Sequence, residues 1–443
     1  MLVRLRVFKN RNIKFKILRF IRLIKLRINY TSISNPELEF ISKNDFHIRV
    51  RKNFSIAKEW VRADQLIRRG QYQQGVDLMK TILFDLQNHN KNFISSENSP
   101  AFLSYHWGTR FGHLGQLGMK LKFDEMFKTE KVVQKIYIKD KFLFSKFEEL
   151  FSNRIIPIEN RNLLDFERPT NWAEFDLLHM IRFNEDYIEH NAMHELVYSS
   201  CKVDRTNPLV RHPQTRQELL EKMNLGAEDW YVAVHIRNTN YQYDERKVDQ
   251  FKFNEALESV ISAGGKVIQF GQNMTKAKVS DLSKIRYLPD IEGSQNLDTS
   301  IIAHSDFLLT TSSGPIGVAH ALGIPVLQTD CPAICMHART ASDGTLYLPK
   351  KLVKNGKEVA YSQLAETGLG YTHISLLEWR ELGFEIVENS STEILNATLE
   401  MLNPIKANSE LNQKLDSLQS EYKALARGNF ANSYLERNKW ILS

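Results

Sequence analysis

The chain has 443 residues and carries 59 Lys and Arg against 52 Asp and Glu, with a pI near 9.0. Hydrophobic residues make up 42 % of it, which excludes a disordered chain, and its length indicates two domains plus an extension. Its three cysteines are too few for a disulfide framework and indicate a reducing compartment.

The positive charge is concentrated at the N-terminus. Residues 1–30 hold ten basic side chains and no acidic one, which leaves 49 basic against 52 acidic residues in the other 413. This mildly acidic body argues against a nucleic-acid-binding surface along the chain. A signal peptide needs an apolar run of about 7–15 residues, and a membrane span needs about 20. No apolar run in this segment is that long.

Residues 1–30 are predicted to form a basic amphipathic helix that lies on an anionic membrane surface. The protein is therefore expected to be cytoplasmic and to associate with the inner face of the membrane. The prediction depends on apolar residues that share one stripe of a helix, namely Ile13, Ile17, Phe20, Ile21, Ile24 and Ile28. A core-facing helix, a disordered basic arm and a mitochondrial transit peptide are the alternatives.

The next segments are predicted to be helical and then α/β. Residues 54–90 read as a helical hairpin, which packs on the following domain or binds a partner, and 88–100 as a linker. Residues 100–224 alternate short apolar runs with polar helices, which predicts an N-terminal α/β domain. Its strands are expected at 101–105, 132–138 and 154–157, and its helices up to 128, at 142–151 and at 172–200.

Residues 225–400 are predicted to form a second α/β domain, followed by C-terminal helices at 401–443. Its strands are expected at 231–236, 266–270, 286–288, 306–310 and 324–327, and its helices at 253–263, 297–304 and 316–322. This alternation is typical of a parallel, doubly wound sheet, which binds ligands at the carboxyl ends of its strands.

A hydroxyl-rich turn after the fourth of these strands is the strongest motif. It runs Thr310-Thr311-Ser312-Ser313-Gly314-Pro315. A hydroxyl at the N-cap, a glycine for close approach and a proline in the first turn predict a helix start whose N–H groups bind a phosphate. The predicted contacts are therefore Thr311, Ser312, Ser313 and Gly314. The alternative is an ordinary cap on a buried helix.

A second motif, His235-Ile236-Arg237, ends the first strand of the same domain. The planar, always charged guanidinium of Arg237 suits a phosphate, and with the hydroxyl-rich turn it predicts a clamp for a diphosphate. A structural arginine is the alternative. Further candidate nucleotide contacts lie after other strands, namely Gly271, Gln272, Asn273, Lys276, Thr329, Asp330 and Lys350; for the two lysines an exposed surface position is the alternative.

These motifs resemble the nucleotide-sugar half of GT-B glycosyltransferases. The pattern is most similar to a bacterial family with His-x-Arg, a following Tyr, Thr-Ser-Ser-Gly and Leu-Pro-Lys, here at His235–Arg237, Tyr241, Thr311–Gly314 and Leu348–Lys350. His-x-Arg also resembles the protein O-fucosyltransferases, and Ser313-Gly-Pro with Ala321-Leu-Gly-Ile-Pro the heptosyltransferases. The resemblance spans about 100–400. It implies a GT-B-like fold with two facing Rossmann-like domains, in which Arg237 engages the nucleotide diphosphate and the leaving group. His235 is a further predicted contact of the nucleotide sugar.

Two differences from those families argue against particular nucleotide sugars as the donor. Gly317 stands where heptosyltransferases have a histidine, which argues against ADP-heptose. Asn238-Thr239-Asn240 follows His-x-Arg where fucosyltransferases have an acidic residue, so GDP-fucose is not favoured.

The resemblance also places a catalytic group near Gly112-His113-Leu114. His113 is the predicted general base for an acceptor hydroxyl, because an imidazole titrates near neutral pH; a helix-capping or core histidine is the alternative. No Asp-x-Asp stands where a GT-A metal site needs it, so a reaction without metal or cofactor other than the nucleotide sugar is expected, with Arg237 neutralising the phosphates.

The sequence therefore predicts a glycosyltransferase that moves a sugar from a nucleotide sugar to a hydroxyl of a glycan, lipid-linked or protein acceptor, in bacterial surface polysaccharide or glycoconjugate synthesis. A GT-B-fold nucleotide-sugar epimerase and a non-catalytic membrane-associated scaffold are the alternatives. A shared fold does not decide between them.

Overall fold

The structure is a computed structural model. It describes residues 101–103, 111–127, 134–137, 141–151, 155–158, 180–183, 186–189, 201–210, 212, 214–237, 248–271, 274–331, 344–360, 383–403 and 429–442, and isolated helical positions elsewhere. The predicted helix of residues 1–30, nearly all of the 54–90 hairpin, and Tyr241, Gln272 and Asn273 lie outside the described residues.

Residues 101–158 alternate strands and helices where the structure describes them, as predicted. Its elements are β1 (Ala101–Leu103), α1 (His113–Phe127), β2 (Gln134–Tyr137), α2 (Lys141–Phe151) and β3 (Ile155–Ile158). The strands pair in parallel in the order β1-β2-β3, so each helix is the crossover between neighbouring strands.

The helix predicted at 172–200 is wrong over its centre. The structure has there an antiparallel pair of strands, β4 (Met180–Phe183) and β5 (Asp186–Glu189). Ile181 lies opposite Ile188, and Arg182 lies opposite Tyr187. β-branched and aromatic residues favour strands, and pairing between the two strands satisfies backbone groups that a helix would have paired locally.

A six-stranded sheet forms the main body. Its strands are β6 (Tyr231–His235), β7 (Lys266–Gln269), β8 (Ile285–Tyr287), β9 (Leu308–Thr311), β10 (Val326–Cys331) and β11 (Leu346–Pro349). All neighbours pair in parallel, in the order β11-β10-β9-β6-β7-β8. The chain runs outward from β6 to β8 and then returns to the other side of β6. The topological switch point is therefore between β6 and β9, where sheets of this order hold their ligands.

Helices cover both faces of this sheet, which is the doubly wound arrangement that the sequence predicted. They are α3 (Arg216–Lys222), α4 (Asn254–Ser262), α5 (Asp298–His304), α6 (Pro315–Ala321), α7 (Ser391–Leu402) and α8 (Asn432–Arg437). α4, α7 and α8 pack on the face that carries Val232 and Val234. α1, α2, α3, α5 and α6 pack on the face that carries Tyr231 and Ala233. Burial on both faces explains the continuous apolar run of β6.

A small antiparallel sheet follows β11. It consists of β12 (Lys351–Lys354), β13 (Lys357–Glu358) and β14 (Phe384–Val387), in the order β13-β12-β14. α7 begins directly after it with a capping box, in which Ser390 accepts from the amide of Glu393 and the Glu393 carboxylate accepts from that of Ser390. No helix in the described part of the chain is long and apolar enough to cross a membrane.

Helix α1 crosses α6 at close range. A Cβ atom on Gly112 would lie 2.8 Å from the Cα atom of Gly314, and one on Gly317 would lie 2.6 Å from the carbonyl oxygen of Gly112. Only glycines allow two helix backbones to approach this closely. The start of α1 is therefore held against the start of α6.

Candidate functional site

The two predicted motifs meet at the switch point of the sheet. The backbone amide of Arg237 donates to Thr311 Oγ1 at 3.1 Å, and Thr310 Oγ1 donates to the carbonyl oxygen of His235 at 2.7 Å. His235 and Thr310 are also register partners on neighbouring strands. The end of β6 and the turn after β9 thus form one structure at the carboxyl edge, although they are 74 residues apart.

His235 is a neutral side chain in this crevice. Its ring lies 5.3 Å from that of Phe270, and its Nδ1 is buried and has no hydrogen-bond partner in the described part of the chain. Burial, and then the nearby charge of Arg237, lowers the pKa of His235 to about 4. The imidazole can therefore exchange a hydrogen bond with a ligand at neutral pH, but it does not supply a charge.

Gly271 provides the space that the His235 ring occupies. Its φ is +113°, and a Cβ atom there would lie 2.7 Å from His235 Cδ2. A side chain at this position would be strained and would collide with the imidazole. The structure thus places the predicted nucleotide contact Gly271 beside His235, at the end of β7.

The hydroxyls of the turn do not cap α6, which corrects the sequence prediction. Gly314 is the N-cap and no side chain accepts a capping hydrogen bond, while Pro315 begins the helix as predicted. Thr310 Oγ1 and Ser313 Oγ lie 2.9 Å apart and bond to each other. The hydroxyls therefore brace the turn against β6, because the strand end offers partners before the helix begins. Ser312 is buried in the same turn.

His113 is the first residue of α1 and is buried, with 7 % of its surface exposed. Because Gly112 touches Gly314, the structure brings His113 to the same end of the sheet as Arg237. The predicted base and the predicted diphosphate clamp thus share one region, although they are far apart in the sequence.

A second polar cluster lies at the ends of β10 and β11. Asp330 has a left-handed φ of +49° and is 2 % exposed. Its amide donates to Asn389 Oδ1 at 2.6 Å, and the amide of Asn389 donates to Asp330 Oδ1 at 3.0 Å. Asn389 Nδ2 also donates to the carbonyl oxygen of Pro349 at 3.0 Å. This reciprocal pair joins the loop before α7 to the edge of the main sheet.

The other carboxylate oxygen of Asp330, Oδ2, is buried and has no partner in the part of the chain that the structure describes. Burial raises the pKa of Asp330 to about 6, although the charge of Lys350 opposes the shift. Lys350 is itself buried, and its Nζ lies 3.9 Å from Glu388 Oε1. Glu388 Oε2 accepts from Lys252 Nζ at 2.7 Å.

The sequence identified only part of this second cluster. Thr329, Asp330 and Lys350 follow strands and were candidate contacts, whereas Lys252, Glu388 and Asn389 carried no local signal. Lys276, the other candidate lysine, is exposed and forms an ion pair with Asp290 at 2.5 Å. For Lys276 the surface alternative is the one that the structure shows.

Among the residues that the structure describes, no group of three or more His, Cys, Asp or Glu side chains could hold a metal ion. Cys331 is a buried free thiol, and Cys335 lies outside the described residues.

Comparisons with known proteins give only distant likenesses. No family model matches the chain, and no curated protein is significantly similar to it. A glycosyl transferase of family 9 from Veillonella parvula is 14 % identical, covers 66 % of this chain and 95 % of its own, and has a TM-score of 0.39. The ADP-heptose lipopolysaccharide heptosyltransferase II of Escherichia coli is 12 % identical, with coverages of 58 % and 92 % and a TM-score of 0.39. The iron-containing heptosyltransferase TibC is 13 % identical, with coverages of 71 % and 80 % and a TM-score of 0.37. At these TM-scores, the assignment of function rests on the residues of the site.

Proposed function

We propose that this chain is a glycosyltransferase that transfers a sugar from a nucleotide sugar to an acceptor hydroxyl, and that the donor diphosphate binds between the ends of β6 and β9. The hydrogen bond from the Arg237 amide to Thr311 Oγ1 carries the proposal, because it holds a cation and a hydroxyl-rich turn together at the switch point. Guanidinium and hydroxyl groups are suitable donors for diphosphate oxygens.

In the proposed reaction, the acceptor oxygen attacks the anomeric carbon, and the bond from that carbon to the diphosphate oxygen breaks. The diphosphate leaves with the bonding electron pair. Arg237 stabilises the negative charge that develops on the diphosphate, as a metal ion does in enzymes that use one. His113 takes the proton of the attacking hydroxyl. His235, held neutral by its burial, donates or accepts a hydrogen bond without adding charge.

We also propose how the two sheets and the N-terminal segment take part. The β1–β3 unit would supply the acceptor side, and the six-stranded sheet the donor side, of a GT-B-type enzyme with two facing domains. The contact between Gly112 and Gly314 supports this, because it brings a residue of the first unit to the diphosphate site of the second. The basic segment 1–30 would hold the enzyme at an anionic membrane, beside bacterial lipid-linked or surface-glycan acceptors.

Binding of nucleotides tests the proposal directly. The full chain is titrated with UDP, GDP, ADP and CMP and with their sugar derivatives, while its thermal unfolding is followed. We expect one nucleotide series to raise the unfolding midpoint, because a ligand that binds only the folded state stabilises it. Stabilisation by none of them would exclude the enzyme and favour a scaffold. Conversion of the donor to an epimeric sugar without any acceptor would identify an epimerase instead.

A further inference from the structure

The cluster at the ends of β10 and β11 contains charged and polar side chains that the proposed diphosphate site does not use. Resting on the proposed function, we propose that Asp330 and Lys350 bind the sugar of the donor, and that this sugar is an uncharged ring recognised through its hydroxyl groups. No part of the sequence pattern assigned a sugar to these residues.

The position of the cluster suits a sugar attached to a diphosphate. β9 lies beside β6 in the sheet and β10 lies beside β9, and Thr311 is the register partner of Thr329. Neighbouring strands are about 5 Å apart, so the end of β10 lies about 10 Å from the end of β6. A sugar linked to a diphosphate at the switch point reaches across this distance, on the side of the sheet away from β7.

Two buried polar atoms of the cluster have no hydrogen-bond partner among the described residues. Asp330 Oδ1 is occupied by the amide of Asn389, whereas Asp330 Oδ2 has no partner in the described part of the chain. The neighbouring Thr329 Oγ1 is likewise buried without a partner there. Folded proteins pair almost all of their buried polar atoms, so a rigidly held carboxylate oxygen that is left over is a site for a hydrogen-bond donor.

The charges of the cluster favour an uncharged ligand. Lys252 neutralises Glu388 through a hydrogen bond of 2.7 Å, while Lys350 lies 3.9 Å from Glu388, too far for a hydrogen bond. The Lys350 ammonium and the free oxygen of the Asp330 carboxylate are therefore the two groups of the cluster that are available to a ligand. A hydroxyl donates to a carboxylate and accepts from an ammonium, so adjacent ring hydroxyls satisfy both groups. The carboxylate of an acidic sugar would be repelled by Asp330.

Paired titrations test this proposal with the full chain. Calorimetry compares UDP-glucose with UDP, GDP-mannose with GDP, and ADP-glucose with ADP. We expect one sugar nucleotide to bind the wild type more tightly than its diphosphate does. Asp330→Asn keeps an oxygen for the Asn389 amide and replaces the free oxygen by an NH₂ group. We expect it to weaken the sugar nucleotide by about tenfold or more while the diphosphate changes by no more than about twofold.

A second variant and a matched control guard against loss of folding. Lys350→Met should weaken the same sugar nucleotide, whereas Lys351→Met should not, because Lys351 belongs to an ion pair with Glu393 at 3.1 Å. UDP-glucuronate should bind more weakly than UDP-glucose. Thermal unfolding of each variant shows that the protein is folded.

The outcomes separate the two proposals. Equal weakening of diphosphate and sugar nucleotide by Asp330→Asn, or no weakening of either, would overturn the sugar site and leave the glycosyltransferase proposal intact. So would a wild type that binds a diphosphate as tightly as each of its sugar derivatives, or one that binds UDP-glucose more tightly than UDP and binds UDP-glucuronate at least as tightly as UDP-glucose. A wild type that binds no nucleotide at all would overturn both.

Discussion

A Cβ atom on Gly115 would lie 1.7 Å from the carbonyl oxygen of Gly317, so the backbones of α1 and α6 are in direct contact. Gly317 is also the position at which heptosyltransferases, by the resemblance, have a histidine. A Cβ atom on Gly317 would likewise lie 2.6 Å from the carbonyl oxygen of Gly112, so a side chain at this position would meet the start of α1.

This contact predicts that Gly115→Ala destabilises the protein by roughly 2–4 kcal/mol, since neither backbone can move away without disturbing a core. Gly226→Ala is the control, because the nearest atom to its Cβ would be Asp229 Oδ2 at 3.4 Å, and it should change stability by no more than about 0.5 kcal/mol. Urea unfolding measures both. Equal stabilities of the two variants would contradict the close crossing.

Arg237→Ala should lower the affinity for the nucleoside diphosphate by about tenfold or more, because a charged donor to the phosphates is lost. The hydrogen bond from the Arg237 amide to Thr311 Oγ1 belongs to the backbone and should survive, and thermal unfolding without ligand checks that the variant is folded. Arg237→Lys should recover part of the affinity. Calorimetry with the stabilising nucleotide is the measurement, and an unchanged affinity would rule out the diphosphate clamp.

His113→Asn should lower turnover by about 10²–10⁴-fold while the affinity for the donor stays within about twofold, as expected of a general base. The test is release of the nucleoside diphosphate in the presence of acceptor, combined with donor titration. If affinity and turnover fall together, His113 supports the fold of the α1–α6 junction rather than the chemistry.

Asp330 should make the protein less stable as the pH rises. In the unfolded chain its carboxyl loses its proton near pH 4, whereas burial raises the pKa in the folded state to about 6. Protonation is therefore favoured by folding, and stability declines between about pH 4 and pH 6, by roughly 2–3 kcal/mol in total. Lys350 and Lys252 oppose this shift and Glu388 adds to it.

Asp330→Asn should remove this decline. The variant should therefore unfold at a higher temperature than the wild type at pH 8, and the difference should shrink towards pH 4.5. Thermal unfolding at several pH values measures it. A variant that is less stable at pH 8 would show that the ionised carboxylate stabilises the fold.

Lys146 predicts the opposite pH dependence at α2. It is fully buried and its Nζ donates to Glu149 Oε2 at 2.7 Å and to Thr299 Oγ1 at 3.0 Å. Burial alone would raise the pKa of Glu149, but hydrogen bonds from His212 and Lys146 outweigh it and lower the pKa. The stability that this carboxylate contributes is present above the pKa of the unfolded chain and is lost as the pH falls.

Lys146→Met should cost about 1–3 kcal/mol at neutral pH, because Glu149 and Thr299 lose a charged hydrogen-bond donor while Glu149 keeps its contact with His212, and the loss of stability on acidification should become smaller. Lys122→Met is a matched control, since Lys122 has the same spacing to Glu125 on a partly exposed face, at 3.5 Å. It should cost less than about 1 kcal/mol. Similar costs for the two variants would contradict the buried network.

The sequence by itself predicted five of the six strands of the main sheet and the direction of its carboxyl edge, but not the edge strand β11. Apolar runs such as that of β6, and the Pro315 helix start, are local signals, because burial on both faces and the ring of proline act within a few residues. The carboxyl edge then followed from the parallel order. The helix that local patterns predicted at 172–200 was wrong where β4 and β5 form, because pairing between the two strands outweighed the helical pattern.

Only the tertiary structure decided how distant residues meet. Asp330 and Asn389 pair across 59 residues, and Arg237 and Thr311 across 74. Neither pair has a spacing that a helix or strand could reveal, because the contact depends on which strands become neighbours in the sheet. The apposition of Gly115 and Gly317 is of the same kind. The sequence thus determined which elements form, while the packing of those elements decided which polar groups are buried, paired or left available for a ligand.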